Sequence, residues 1–358
     1  MKKVFVIAAA ALLALASCTK VESTYTPDEA INFQAAVQLA QTKAEINGET
    51  TKADTLGYPY DNFGVYAWED GTAAYIVNEK VTKTADVWST AKTYYWPKSG
   101  TMDFIGYYPQ AAAPWVSVST DALKCESYSI SAAENDDLLY SNKAVERTVK
   151  NSANGVPMIF HHALAQVGVV VKAGYLSAGS GEDKTTWEIK IKSLYFKDMY
   201  KAGGVELSLA SDEQNWTLPE DAIWTVSGST SNISVISSDK TLTTSSDTVL
   251  LKKTVMPQNL VVSDASKVMH VDYSIKTTTA QNEVTTQNLS ADIKLFGSWT
   301  DASDKDAFSN VVDKWQMNKW IFYTLVINPL ATTPEEAVIT FDPSLIDWQY
   351  VDGGTYTL

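Results

Sequence analysis

Beyond its acids, lysines and hydroxyls, this 358-residue chain offers few groups that do chemistry: three histidines, two cysteines and a single arginine, Arg147. His161 and His162 are adjacent, which on a strand sends them to opposite faces and prevents them from sharing a metal. His270 stands apart from both. Asp301, Asp304 and Asp306 gather three carboxylates in one loop, the donor type that suits Ca²⁺. Alternate spacing, a turn glycine and a distal bidentate Glu are all missing, so the segment reads as a solvated acidic loop. No G-x-S-x-G, H-E-x-x-H, P-loop or Rossmann glycine pattern occurs. Among 42 acids nothing singles out a glycosidase pair. The expectation is a protein without catalytic residues, resident metal or cofactor. A formal charge of −14 also argues against nucleic acid as a partner.

Two further residue sets call for a reading. Trp68, Tyr94, Tyr95, Trp96, Tyr107, Tyr108 and Trp115 crowd one half of the chain. Such rings either form a platform on which sugars stack, which would suit a surface glycan-binding lipoprotein, or fill a β-rich core. The second set is at the start. Lys2 and Lys3 precede an apolar run from Val4 to Leu15, the pattern of a secretory signal. The run is short for a membrane span, which needs ~20 residues. Leu15-Ala16-Ser17-Cys18 has the form of a bacterial lipobox, with Cys18 as the acylated residue and cleavage just before it. Acyl chains gain ~0.8 kcal/mol per buried CH₂, enough to anchor without a helix. Thr19 follows Cys18 where an inner-membrane lipoprotein would often carry Asp, so the outer membrane is the expected destination. Cys125 remains as a lone thiol and reads as a small buried hydrophobe.

The elements that would position these groups are strands. Period-2 alternation places Leu289, Ala291, Ile293 and Leu295 on one face, and Trp187, Ile189 and Ile191 on another. VGVVVKA and IFYTLVI are apolar throughout and read as central strands. INFQAAVQL is rich in helix formers, yet Ile31, Phe33, Ala35, Val37 and Leu39 hold every odd position, which only a strand buries together. The Ser/Thr-rich stretch 225–249 suits edge strands or a hairpin arm. At ~150 residues per domain the length predicts two domains, and the turn Asn154-Gly155 marks the boundary. The expected organisation is a signal peptide over 1–17, a tether over 18–30, and all-β domains over 31–156 and 157–358.

TKADT with FGVYAW, then YYWPKSGTMDFIGYYP, NDDLLYS, PMIFHHALAQVGVVVKA and ITFDPSLIDWQ together resemble the fimbrillin family of Bacteroidota, in its branch of minor-fimbrium lipoproteins. The resemblance implies two tandem transthyretin-like β-sandwiches, displayed at the cell surface in a type V pilus alongside other fimbrial subunits. It also implies strand exchange: an N-terminal strand is cut away, and a strand of the next subunit fills the groove. On this chain INFQAAVQL, with Ile31, Phe33, Val37 and Leu39, is placed to be that strand, or else it is a first strand that is never removed. No arginine follows it, which leaves Lys43 and Lys52 as cleavage candidates. The C-terminal segment 337–358, with Ile346, Trp348 and Tyr350 on one face, either donates to a neighbour or completes its own sandwich.

Overall fold

The computed structural model describes residues 25–39, 42–43, 62–84, 87–130, 137–209, 224–236, 238–244, 249–262, 265–295, 314–329 and 337–347. Cys18, Lys52, the Asp301–Asp306 loop, Trp348 and Tyr350 lie outside them. Apart from two single-turn 3₁₀ segments, all regular structure in the described residues is β.

The first body is a closed ring of seven strands. Its opening strand, Phe33–Leu39, pairs with Val156–His162 on one side and Val87–Thr90 on the other. Ala73–Thr84, Asn62–Glu69 and Met102–Tyr108 follow in order. The short strand Leu139–Ser141 then bonds both Met102–Tyr108 and Val156–His162, and so closes the barrel. Phe63, Val65 and Ala67 alternate inward with Val81, Phe104 and Met158 to fill it. On the outside, Tyr107 lies over Gly64, its direct cross-strand partner. A Cβ at Gly64 would meet that ring at 2.6 Å, so the glycine is the socket for the tyrosine.

The second body is a sandwich. One sheet runs Val249–Val255, Ala165–Ala173, Lys319–Pro329, Ala337–Asp347. The other is built on a strand of 24 residues, Thr185–Ser208, bulged in several places. Val268–Thr278 and then Val284–Lys294 extend it to one edge. Val167, Val169, Ile321 and Tyr323 face Ile189, Ile191, Val271 and Tyr273 across one core. The alternation expected at Trp187–Ile191 and Leu289–Leu295 is what turns those residues inward.

The turn Asn154-Gly155 leads into Val156–His162, a barrel strand, and the sandwich strand Ala165–Ala173 follows after Ala163-Leu164. The hairpin Val116–Val118 and Ala122–Ser129, early in the chain, pairs with the far end of the long strand at Ala202–Ser208 and so joins the sandwich sheet. Residues 225–236 run as an arm along the same strand, with Ile233 reaching the core.

Candidate functional site

The opening strand is held unevenly. Toward Val156–His162 it forms a parallel ladder from Phe33↔Val156 to Val37↔Phe160. Toward Val87–Thr90 it makes one register contact, Phe33↔Trp88. Just ahead of it the Ile31 N–H donates to the Tyr94 carbonyl at 2.8 Å. At its far end the backbone folds into a short hairpin, with Leu39 opposite Thr42 and Gln38 opposite Lys43. The first cleavage candidate therefore sits immediately after this strand, across from it.

Alternation does the rest. Ile31, Phe33 and Ala35 are 3%, 4% and 4% exposed, with Asn32 and Gln34 half-buried between them. The Phe33 ring stands edge-on to Phe63 at 5.8 Å and to Phe104 at 5.9 Å. Phe63 in turn contacts Trp88 at 5.5 Å and Phe160 at 5.1 Å, so one aromatic side chain keys four strands together. Burial of Phe33 and Ile31 contributes ~1.5–3 kcal/mol each before ordering costs. Without this strand, the ring would hold a slot lined by the unpaired edges of Val156–His162 and Val87–Thr90 and floored by aromatic rings.

The closing strand, Ala337–Asp347, lies at the edge of the four-stranded sheet. It pairs along all 11 residues with Lys319–Pro329, from Ala337↔Pro329 to Asp347↔Lys319. Ile339, Phe341, Pro343 and Leu345 are in register with the fully buried Ile327, Leu325, Tyr323 and Ile321. In this arrangement residues 337–347 complete their own sandwich, and Ile346 is opposite Trp320.

Most of the remaining candidate groups lie inside the fold. Trp68, Tyr94, Trp96 and Tyr107 are buried, Tyr95 and Tyr108 half-buried, and of the seven rings only Trp115 reaches 40% exposure. They form no sugar-stacking platform. His161 is buried with its ring 5.4 Å from that of Tyr140, and burial, with His162 adding to it, pushes it down to about 4. His162 is buried too, its Nδ1 2.8 Å from Asp137. His270 lies on the outer sheet face between Asp292, 2.5 Å from Nδ1, and Asp272, 3.2 Å from Nε2. Cys125 is buried, and desolvation pushes its thiol up to about 12, far from nucleophile range. No cluster of three metal-ligating side chains occurs among the described residues.

No curated protein matches the chain. A solved fimbrial protein of Bacteroides vulgatus is 15% identical, over 89% of this chain and 99% of that one, with a TM-score of 0.53. The tip fimbrial protein Mfa3 of Porphyromonas gingivalis, solved with a C-terminal truncation, is 10% identical over 90% and 100%, with a TM-score of 0.39. The family model described as fimbrillin-like matches residues 42–348, from the hairpin after the opening strand to just past the closing one. The chain belongs to the fimbrillin-like family.

Proposed function

We propose that the protein is a structural, non-enzymatic subunit of a surface fimbria, exported as a lipoprotein, anchored through Cys18 at the outer membrane and assembled with other fimbrial subunits by strand exchange. In this reading the barrel and the sandwich are two tandem transthyretin-like units, and the domain division falls at Ala163-Leu164 rather than at 156/157. Cleavage after Lys43 or Lys52 frees the opening strand and leaves its slot to a strand from a neighbour.

One observation carries the assembly step. The side-chain pattern seated in the barrel recurs near the other end of the chain. Ile31 and Phe33 are followed at the same spacing by Ala35 and Val37; Ile339 and Phe341 repeat the first pair, with Pro343 and Leu345 in the next two places. A second copy's closing segment would thus offer the slot an isoleucine and a phenylalanine in the register it already accepts, which is β-augmentation with matched pockets. To donate, that segment must leave the ladder it makes with Lys319–Pro329, as in a domain swap.

The test is direct. Treating the purified chain with a lysine-specific protease, confirming loss of the opening strand by mass, and following size against concentration should reveal growing polymers. Deleting Ala337 to Leu358, which removes Ile339 and Phe341 with the rest of the closing strand, should block growth while the ladder between Ala165–Ala173 and Lys319–Pro329 stays folded. A cleaved chain that remains monomeric at high concentration would overturn the strand-exchange reading.

A further inference from the structure

We infer that the passage between barrel and sandwich is a locked waist, so that the two bodies move and unfold as one. Contacts between domains of one chain are usually modest and polar, and hinge motion is the default expectation. Ala163-Leu164 departs from that default in three ways.

The link is gripped from both sides. The Ala163 N–H donates to the Leu138 carbonyl of the barrel at 2.8 Å. The Ala163 carbonyl accepts the indole N–H of Trp224, from the sandwich side, at 2.7 Å. The Leu164 carbonyl accepts the backbone N–H of Asn318 at 2.9 Å, while Asn318 Oδ1 accepts the backbone N–H of His162 at 3.4 Å. Asn318 holds both bonds from a left-handed backbone, φ 59°, which asparagine tolerates better than most residues. Ala163, Leu164 and Trp224 are all buried, so rotation would strip polar groups with no water at hand to replace the lost partners.

The chain also crosses the waist repeatedly. It leaves the barrel after Tyr108 to form the hairpin over Val116–Ser129, is back in the barrel at Leu139, and leaves again after His162. Lys143 ties the first crossing, its Nζ lying 3.4 Å from Asp103 on the barrel and 2.9 Å from Asp121 at the hairpin turn. Finally, the two bodies share a core of their own. Tyr107 and Tyr140 of the barrel pack in one cluster with Leu123, Leu207, Trp224 and Met256. A hinge needs a surface that slides, and this one interdigitates.

A subunit locked in this way has a fixed internal geometry, and the bending of any fibre it forms is confined to the joints between subunits. Hydrogen exchange and calorimetry on the full chain test the lock. The amides of Ala163, Leu164 and Asn318 should exchange as slowly as those of Phe104 and Ile321, and melting should give one transition with equal calorimetric and van't Hoff enthalpies. Trp224→Phe with Asn318→Gly keeps ring bulk and backbone freedom but removes the indole and amide partners. This pair should raise exchange at Ala163 and Leu164 at least ten-fold and split the melt in two, with the strand-core amides unchanged. Two transitions in the wild-type chain, or fast exchange at the link, would overturn the lock without any variant. So would a double variant that exchanges and melts as the wild type does.

Discussion

Gly155 is seated against the backbone of Phe33. A Cβ there would stand 2.7 Å from the Phe33 carbonyl carbon and 3.0 Å from its oxygen, and the backbone at Gly155 has φ 107°. The residue that looks like a linker glycine is the step on which the opening strand docks. Gly155→Ala adds a backbone clash to a conformation that itself costs about 1–3 kcal/mol for other residues. The substitution should therefore destabilise the intact chain by more than it destabilises the form lacking the opening strand, where the clash partner is gone. Chemical unfolding of both forms measures the difference. Equal penalties would mean that Gly155 answers only to its own backbone.

His161 sets a dependence on acid. In the unfolded chain it takes up a proton near the ordinary 6.5, whereas in the folded chain burial holds it neutral down to about 4. The unfolded state binds more protons in that window, so stability falls as pH drops from about 6.5 to about 4, by about 3 kcal/mol at the lower end. His161→Phe keeps a ring beside Tyr140 and removes the titration. Denaturant unfolding at both ends of the window should show the variant losing less than the wild type; parallel losses would assign the acid sensitivity elsewhere.

His270 works in the opposite sense. The hydrogen bond to Asp292, with Asp272 assisting against partial burial, raises its pKa above 6.5. The stability it supplies is complete below 6.5 and is lost as pH rises through the raised value. Asp272 is lowered below 3.8, first by the Ser193 hydroxyl at 2.6 Å, and its contribution is lost only as pH falls through that depressed value. An NMR titration should place the His270 midpoint above the usual histidine range, and Asp292→Asn should bring it down. An unchanged midpoint in the variant would remove Asp292 as the cause.

Cys18→Ala is expected to abolish fatty-acid labelling and move the protein from the membrane fraction to the soluble one. Label retained by the variant would end the lipoprotein reading.

Much of this was legible in the residues because a strand writes its burial in every second position. Ile31-x-Phe33-x-Ala35 identifies a strand despite its helix-forming composition, and Trp187-x-Ile189-x-Ile191 reads directly as an inward face. Local periodicity carries no information about which strand a segment pairs with. Nothing in Val116–Ser129 announces that it will leave its sequence neighbours for Ala202–Ser208. The glycine of the turn Asn154-Gly155 is ambiguous for a related reason: one needed for close approach and one needed for a flexible joint look alike. The crowded aromatics were ambiguous until Trp96 and Tyr107 could be placed, since neighbouring rings in sequence part to opposite faces of a strand.

The closure of the ring by Leu139–Ser141 has a consequence for the life of the protein before assembly. A ring of strands has no rim, and a sheet without a rim cannot template its neighbours. The intact barrel is therefore inert at its strand edges, each stave shielding the next. Cutting out one stave creates two rims at once, separated by the width of a single strand at a spacing of ~4.8 Å to either side. Such a gap admits one strand and refuses two. The same geometry that keeps the intact barrel from pairing with copies of itself would ration it to one successor when the slot is opened.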